Sequence, residues 1–131
     1  MAIAAITKAG RQKLCKAHAG NIPMSPIVKM VFGDGGLDTE GNVIPTTGEE
    51  VSLRNQLLEK EIETRTFLAD DTKCQYSVRI NEGELTGKAI SELGLIDTDG
   101  DLVCYKSFLP KVKDEDFAFT FSLTENFPEN L

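Results

Sequence analysis

The feature that most limits what this sequence can fold into is one stretch, Ile90-Ser91-Glu92-Leu93-Gly94-Leu95-Ile96-Asp97-Thr98-Asp99-Gly100-Asp101-Leu102-Val103. Two apolar runs flank an Asp-Gly pair, and Asp-Gly between strand-like runs is a strong local signal for a β-hairpin. A two-residue turn at Asp99-Gly100 pairs Ile96 with Val103, Leu95 with Cys104 and Gly94 with Tyr105. The last pairing is sensible, because an aromatic ring can cover the space a strand glycine leaves. Apolar residues on both faces place this hairpin near the middle of a packed sheet.

The rest of the chain supplies partners for it. Thr7 reads as an N-cap, with a helix over 8–19 and Gly20 just past its end. Ala9, Leu14 and Ala17 form that helix's apolar stripe, leaving Lys8, Arg11, Lys13 and Lys16 in water. After a proline-rich link, 27–32 is strand-like and stops at Gly33-Asp34-Gly35-Gly36. The polar run to Gly48 is long for a loop in a compact domain, so it is a candidate contact surface. Val51, Leu53, Leu57 and Leu58 suggest a second helix over 49–58. Strands follow at 62–68, 74–80, 90–97, 102–108 and 117–123, the third of the chain showing strict alternation of Cys74, Tyr76, Val78 and Ile80 with polar residues. Loop 81–88 and the tail from Glu125 are further candidate surfaces. The expected architecture is α+β: one domain over 1–131, mainly an antiparallel sheet of about six strands, with two helices in its N-terminal half.

Charge and cysteine use narrow the function classes. A net charge of −7 with scattered basic residues suits neither DNA nor RNA, whose binding depends on basic clusters. No apolar run approaches the ~20 residues of a membrane helix. Cys15, Cys74 and Cys104 cannot all pair within one chain and lack zinc-site spacing, so they read as reduced and structural.

The residues suggest no catalytic group, cofactor or metal. His18 is the single histidine, and Cys15-x-x-His18 offers two ligands on one helix face without two more. Asp97-Thr98-Asp99-Gly100-Asp101 starts like a calcium loop, but Leu102 and Phe108 stand where that loop needs glycine and glutamate. Gly33-Asp34-Gly35-Gly36 lacks the Gly-Lys-Ser/Thr ending of a phosphate loop, and reads as a tight turn needing unusual backbone angles. Glu92 lies within a strand between apolar residues, and a buried carboxylate needs hydrogen-bond partners.

Three segments in order resemble the N-terminal domain of phage tail-collar fibre proteins. Glu92-Leu93-Gly94-Leu95-Ile96-Asp97 is similar to that family's Arg-Glu-Leu-Gly-Leu-aromatic-Asp segment, with Ser91 and Ile96 replacing the arginine and the aromatic. Ile6-Thr7-x-Ala9-Gly10 through Leu14 resembles its opening helix, and Met30-Val31-Phe32-Gly33-Asp34-Gly35 its strand ending in Gly-Asp-Gly; Arg54 and Leu57 fall in its second helix. Gly87-Lys88-Ala89 departs from the glycine pair and aromatic that family members usually carry there. The resemblance makes Gly33, Asp34, Gly35, Glu92, Leu93, Gly94, Leu95, Asp97 and the turn glycine Gly100 a structural signature. It implies a component of a phage tail or phage-tail-like particle that attaches or caps fibres at the baseplate. The implied partners are other tail or baseplate proteins and further copies, trimeric by analogy with fibres, with neither nucleic acid nor membrane. Such a chain is made in the bacterial cytoplasm and resides in the virion or particle. Ending at Leu131, it would carry the attachment part without a receptor-binding tip. The alternative from the residues alone is a small ligand- or carbohydrate-binding module without catalytic activity.

Overall fold

Alternating apolar residues on β-rich segments build two antiparallel sheets. The computed structural model describes residues 4–127. In chain order its elements are β1 (Ala5–Ile6), α1 (Lys8–His18), β2 (Ile27–Gly33), β3 (Gln56–Glu61), β4 (Thr64–Leu68), β5 (Lys73–Ile80), β6 (Ala89–Asp97), β7 (Leu102–Val112) and β8 (Phe119–Glu125). The larger sheet has the order β1-β7-β6-β2-β3 and the smaller one β4-β5-β8.

The architecture is therefore largely β, not the α+β arrangement with two helices that the sequence suggests. One helix of 11 residues is present among the described residues. The expected helix over 49–58 is instead a bent strap followed by edge strand β3, which pairs with β2 through Phe32↔Leu58 and Val31↔Glu59. Leu53 in the strap is buried beside Val31, Leu102 and Tyr105, while Val51 is 82% exposed. The backbone N–H groups of Arg54 and Asn55 are taken by the Glu92 carboxylate across the sheet. Those long-range bonds outweigh the helical spacing of the strap's apolar residues.

Between the two sheets lies the main core. Met30 and Phe32 of β2, Val78 and Ile80 of β5, Leu93 and Leu95 of β6, and Leu123 of β8 converge there. Burying each such side chain contributes about 1.5–3 kcal/mol. The far face of the larger sheet carries a second, smaller cluster of Val31, Leu53, Leu102 and Tyr105. That face also holds Glu92.

The hairpin joins β6 to β7 next to the middle of the larger sheet. Gly94 opposes Tyr105 and Leu95 opposes Cys104, but Ile96 opposes Leu102 instead of Val103. The turn is a residue longer than Asp99-Gly100 implies. Asp97 donates its N–H to the Asp101 carbonyl, and its own carboxylate accepts from the N–H groups of Asp99 and Asp101. Gly100 takes a left-handed φ of 85° within this loop, and the extra residue is absorbed as a bulge at Val103.

Helix α1 begins as its sequence indicates. The Thr7 hydroxyl accepts from the Gly10 N–H and donates to the Leu102 carbonyl, tying the helix start to β7. Ala9, Leu14 and Ala17 are half-buried, and Gly10 is the buried residue of the helix. A Cβ on Gly10 would lie 2.6 Å from the Val103 carbonyl oxygen. This glycine lets helix and strand backbones touch.

Replacing Gly10 with alanine tests that contact. Helix propensity alone would raise stability by about 1 kcal/mol. The clash should reverse the sign, and thermal unfolding of Gly10→Ala should show a loss of about 1–3 kcal/mol. A gain in melting temperature would contradict the close approach.

Candidate functional site

Three segments far apart in sequence meet at one buried carboxylate. Glu92, in the first half of β6, is 0% exposed. Its Oε2 accepts from the N–H of Gly35 at 3.0 Å and of Asn55 at 2.9 Å. Its Oε1 accepts from the Arg54 N–H at 3.0 Å and from the Tyr105 hydroxyl at 2.7 Å. The Arg54 guanidinium in turn donates to the Tyr105 oxygen at 3.0 Å and lies over its ring. Burial, with the bond to Glu92, pushes the Tyr105 phenol well above its ordinary range. Tyr105 therefore stays a protonated donor through the neutral range.

The loop after β2 fits against this centre because it lacks side chains. A Cβ on Gly33 would come 2.5 Å from a Glu92 carboxylate oxygen, and one on Gly36 would come 2.1 Å from the Ser91 carbonyl. Neither Gly33, Gly35 nor Gly36 has a positive φ, so close approach explains these glycines, not unusual backbone angles. Ser91 accepts from the Gly36 N–H through its hydroxyl, and Asp34 accepts from the Asn55 side-chain amide. From there the run to residue 48 is a strap. It is bonded to β7 through Thr46 and Ser107 and to α1 through the Gly48 carbonyl, which accepts from Lys8.

A second polar centre lies at the opposite end of β6. The Lys13 ammonium of α1 lies between three carboxylates: Asp97 at 2.5 Å, Asp99 at 3.0 Å and Asp101 at 2.6 Å. Those carboxylates do converge as a cation site would, but the chain's own ammonium stands among them. Desolvation works against its charge, yet the bonds to Asp101, Asp97 and Asp99 outweigh it and raise its pKa. Asp99, hydrogen-bonded by Ser25 and Lys13, is held below the usual carboxylate range. Lys13 is thus not the solvated residue that its helix position suggests.

The signature residues divide between these centres. Gly33, Asp34, Gly35 and Glu92 meet at the first, Asp97 and Gly100 lie at the second, and Leu93, Gly94 and Leu95 span β6 between them. Leu93 and Leu95 face the main core, while Gly94 lies under Leu53. Cys15 and His18 are exposed on α1, and Cys74 and Cys104 are buried. The three cysteines are free. Sequence reasoning missed Tyr105, Asn55 and Lys13. The spacing between Glu92 and Tyr105 across the hairpin was the one signal that could have joined the first of them to the centre.

Loop 81–88 is pinned by Glu84, which accepts from Lys60 and from the Asn81 N–H, and by bonds from Gly83 and Gly87 to the carbonyls of Glu115 and Lys113. Lys60 and the Asn81 N–H hold the Glu84 carboxyl below its usual range. Leu109, Val112 and Phe117 are each more than 60% exposed, on β7 and the segment after it. A groove of about 290 Å³ beside the second cluster is lined by aliphatic and polar residues such as Val31, Leu53, Gln56 and Ile96.

A family model described as phage tail-collar fibre protein, N-terminal, matches residues 1–117. No curated protein and no solved structure matches the chain.

The two centres make separable predictions for stability. Tyr105→Phe removes one of four bonds to a buried carboxylate and should cost about 1–3 kcal/mol in denaturant unfolding. Glu92→Gln, whose amide would face several N–H donors, should cost more than Tyr105→Phe; equal stability to the parent would refute the central role. Lys13 and Asp99 have opposite signs with pH. The raised Lys13 pKa gives stability that is complete below about pH 10 and lost as pH rises further. The lowered Asp99 pKa gives stability present above about pH 4 and lost as pH falls. Melting temperature should therefore plateau between those limits, and Lys13→Met should lower the plateau while flattening its acid side.

Proposed function

The chain belongs to the family described as phage tail-collar fibre protein, N-terminal, and on that premise we propose that it attaches or caps tail fibres at the baseplate through protein–protein contacts. A structural role in the phage tail follows from the family, as does a virion or tail-associated location. The family is structural, and the proposal includes no catalysis. The observation that carries the reading is the match over residues 1–117, which takes in both polar centres and the whole larger sheet.

Attachment through protein–protein contacts needs a surface that a partner can cover. It is supported by exposed apolar side chains on a chain of this family: Leu109, Val112 and Phe117 at one end, Phe67 and Met24 elsewhere. Such residues favour a partner surface where they adjoin in one patch. The partners we propose are other tail or baseplate proteins and further copies of the chain. The chain acts as one domain over 1–131, and its signature residues serve as scaffold for the surfaces around them. Synthesis takes place in the bacterial cytoplasm, before assembly. A carbohydrate-binding role has less support, since the sequence has no tryptophan and two tyrosines to stack on a sugar.

A tagged chain expressed from its own phage or prophage should copurify with intact particles. A photo-crosslinker at Leu109 should join it to another tail or baseplate protein. Particles that assemble fully without the chain would overturn the reading.

A further inference from the structure

Strand β8 has one ladder neighbour, β5, among the described residues, which leaves its other edge open. Folded proteins usually guard such edges with lysine, proline or closely spaced charge. The larger sheet does so: β3 carries Glu59-Lys60-Glu61, and the free half of β7 carries Pro110-Lys111. β8 reads Phe119-Thr120-Phe121-Ser122-Leu123-Thr124-Glu125, without proline or basic residue.

That strand is also close to a palindrome. Antiparallel pairing with itself about Ser122 sets Thr120 against Thr124 and Phe121 against Leu123 of the second copy. Phe119 then opposes Glu125 of the second copy. Two residues beyond the strand at each end, Phe117 falls against Phe127 of the second copy. These two rings are 61% and 38% exposed. No pair in this register opposes like charges, and the Thr120–Thr124 and Phe121–Leu123 pairs match polar with polar and apolar with apolar.

We propose that two copies of this chain join through β8, antiparallel about a two-fold axis at Ser122, so that their smaller sheets form one continuous six-stranded sheet. The proposal goes beyond the particle reading, which does not require it.

Charge supports this register. The Glu125 side chain has no hydrogen bond among the described residues, and burial lifts its pKa. In the pair it approaches Phe119 of the second copy, and the Lys113 ammonium lies 5.8 Å from that ring's centre. The other open edge of the smaller sheet fits a second copy less well. Pairing β4 with itself about Thr66 would bring Asp70 and Asp71 beside Glu61 and Glu63 of the second copy, like charge against like. A two-fold contact uses the same patch on both copies, which is what a near-palindromic strand provides.

Cysteine crosslinking on the full chain tests the register directly, with exposed Cys15 changed to serine. Directly opposed residues in an antiparallel pair have Cα atoms about 4.5–5.5 Å apart, within disulfide reach. Ser122→Cys should therefore form a covalent dimer with itself under mild oxidation. Thr120→Cys and Thr124→Cys should each fail alone, being four residues from their own copy across the axis, and should crosslink when mixed. In sedimentation the parent should populate a dimer or an even multiple of it. Thr120→Lys/Thr124→Lys, which sets lysine opposite lysine twice, should drop to half that mass with an unchanged circular dichroism spectrum. A parent that is strictly monomeric or only trimeric, or a Ser122→Cys chain that crosslinks no faster than Thr120→Cys alone, would overturn the β8 contact. Particle incorporation tests the functional reading independently, so failure of one is distinguishable from failure of the other.

Discussion

The fold is organised around the requirement that the Glu92 carboxylate, once buried, be fully hydrogen-bonded. Taking an ionised group out of water costs several kcal/mol unless other donors replace the lost solvent. Four donors do so here, and they come from three segments that the chain order holds apart: Gly35, Arg54 with Asn55, and Tyr105. Removing any one of them leaves the others facing an undersatisfied charge. The carboxylate thus sets the path of the loop after β2, the end of the 49–55 strap and the seating of that strap on the sheet. Arg54 is carried to the surface by the same bonds, with its guanidinium on Tyr105.

The same logic runs in reverse at the other end of β6. There a cation, Lys13, is surrounded by three carboxylates, and the outcome is the attachment of α1 to the hairpin turn. Asp97 is the member that matters most. Its side chain is fully buried, and it organises the turn through two backbone N–H groups before it meets the ammonium at all. The strand between the two centres is apolar toward the main core and offers a glycine to the strap. One strand therefore carries a buried anion near its start, a core in its middle and an ion cluster at its end.

How much of this was legible depends on the range of the interaction involved. The Thr7 cap, the helix it starts and the alternation of β5 are local, and the sequence displayed them directly. The register of Gly94 with Tyr105 and Leu95 with Cys104 followed from turn position. The next pair did not, because the Asp97 carboxylate lengthens the turn and a bulge at Val103 restores the face pattern. Long-range effects were hidden. The 49–58 segment has helical spacing on paper, yet Glu92 takes its N–H groups and β2 takes its second half. Lys13 looked solvated because a helix stripe cannot reveal an acidic turn 84 residues away. For Glu92 the need for partners could be argued from its strand position, whereas the identity of the donors required the folded chain.

This division also bears on what a family signature can mean. Gly33, Glu92, Leu93, Gly94, Leu95 and Asp97 are buried, so none of them can offer its side chain to a partner as the fold stands. What they have in common is geometric: a missing Cβ, a carboxylate that needs donors, or a core face. Among the described residues, the groups free to meet another protein lie elsewhere, on the open edge of β8, on the exposed half of β7 and at Phe117. None of those positions bonds to either polar centre. Residues held in this way fix how the surfaces around them are placed, and take no part themselves in meeting a partner as the fold stands.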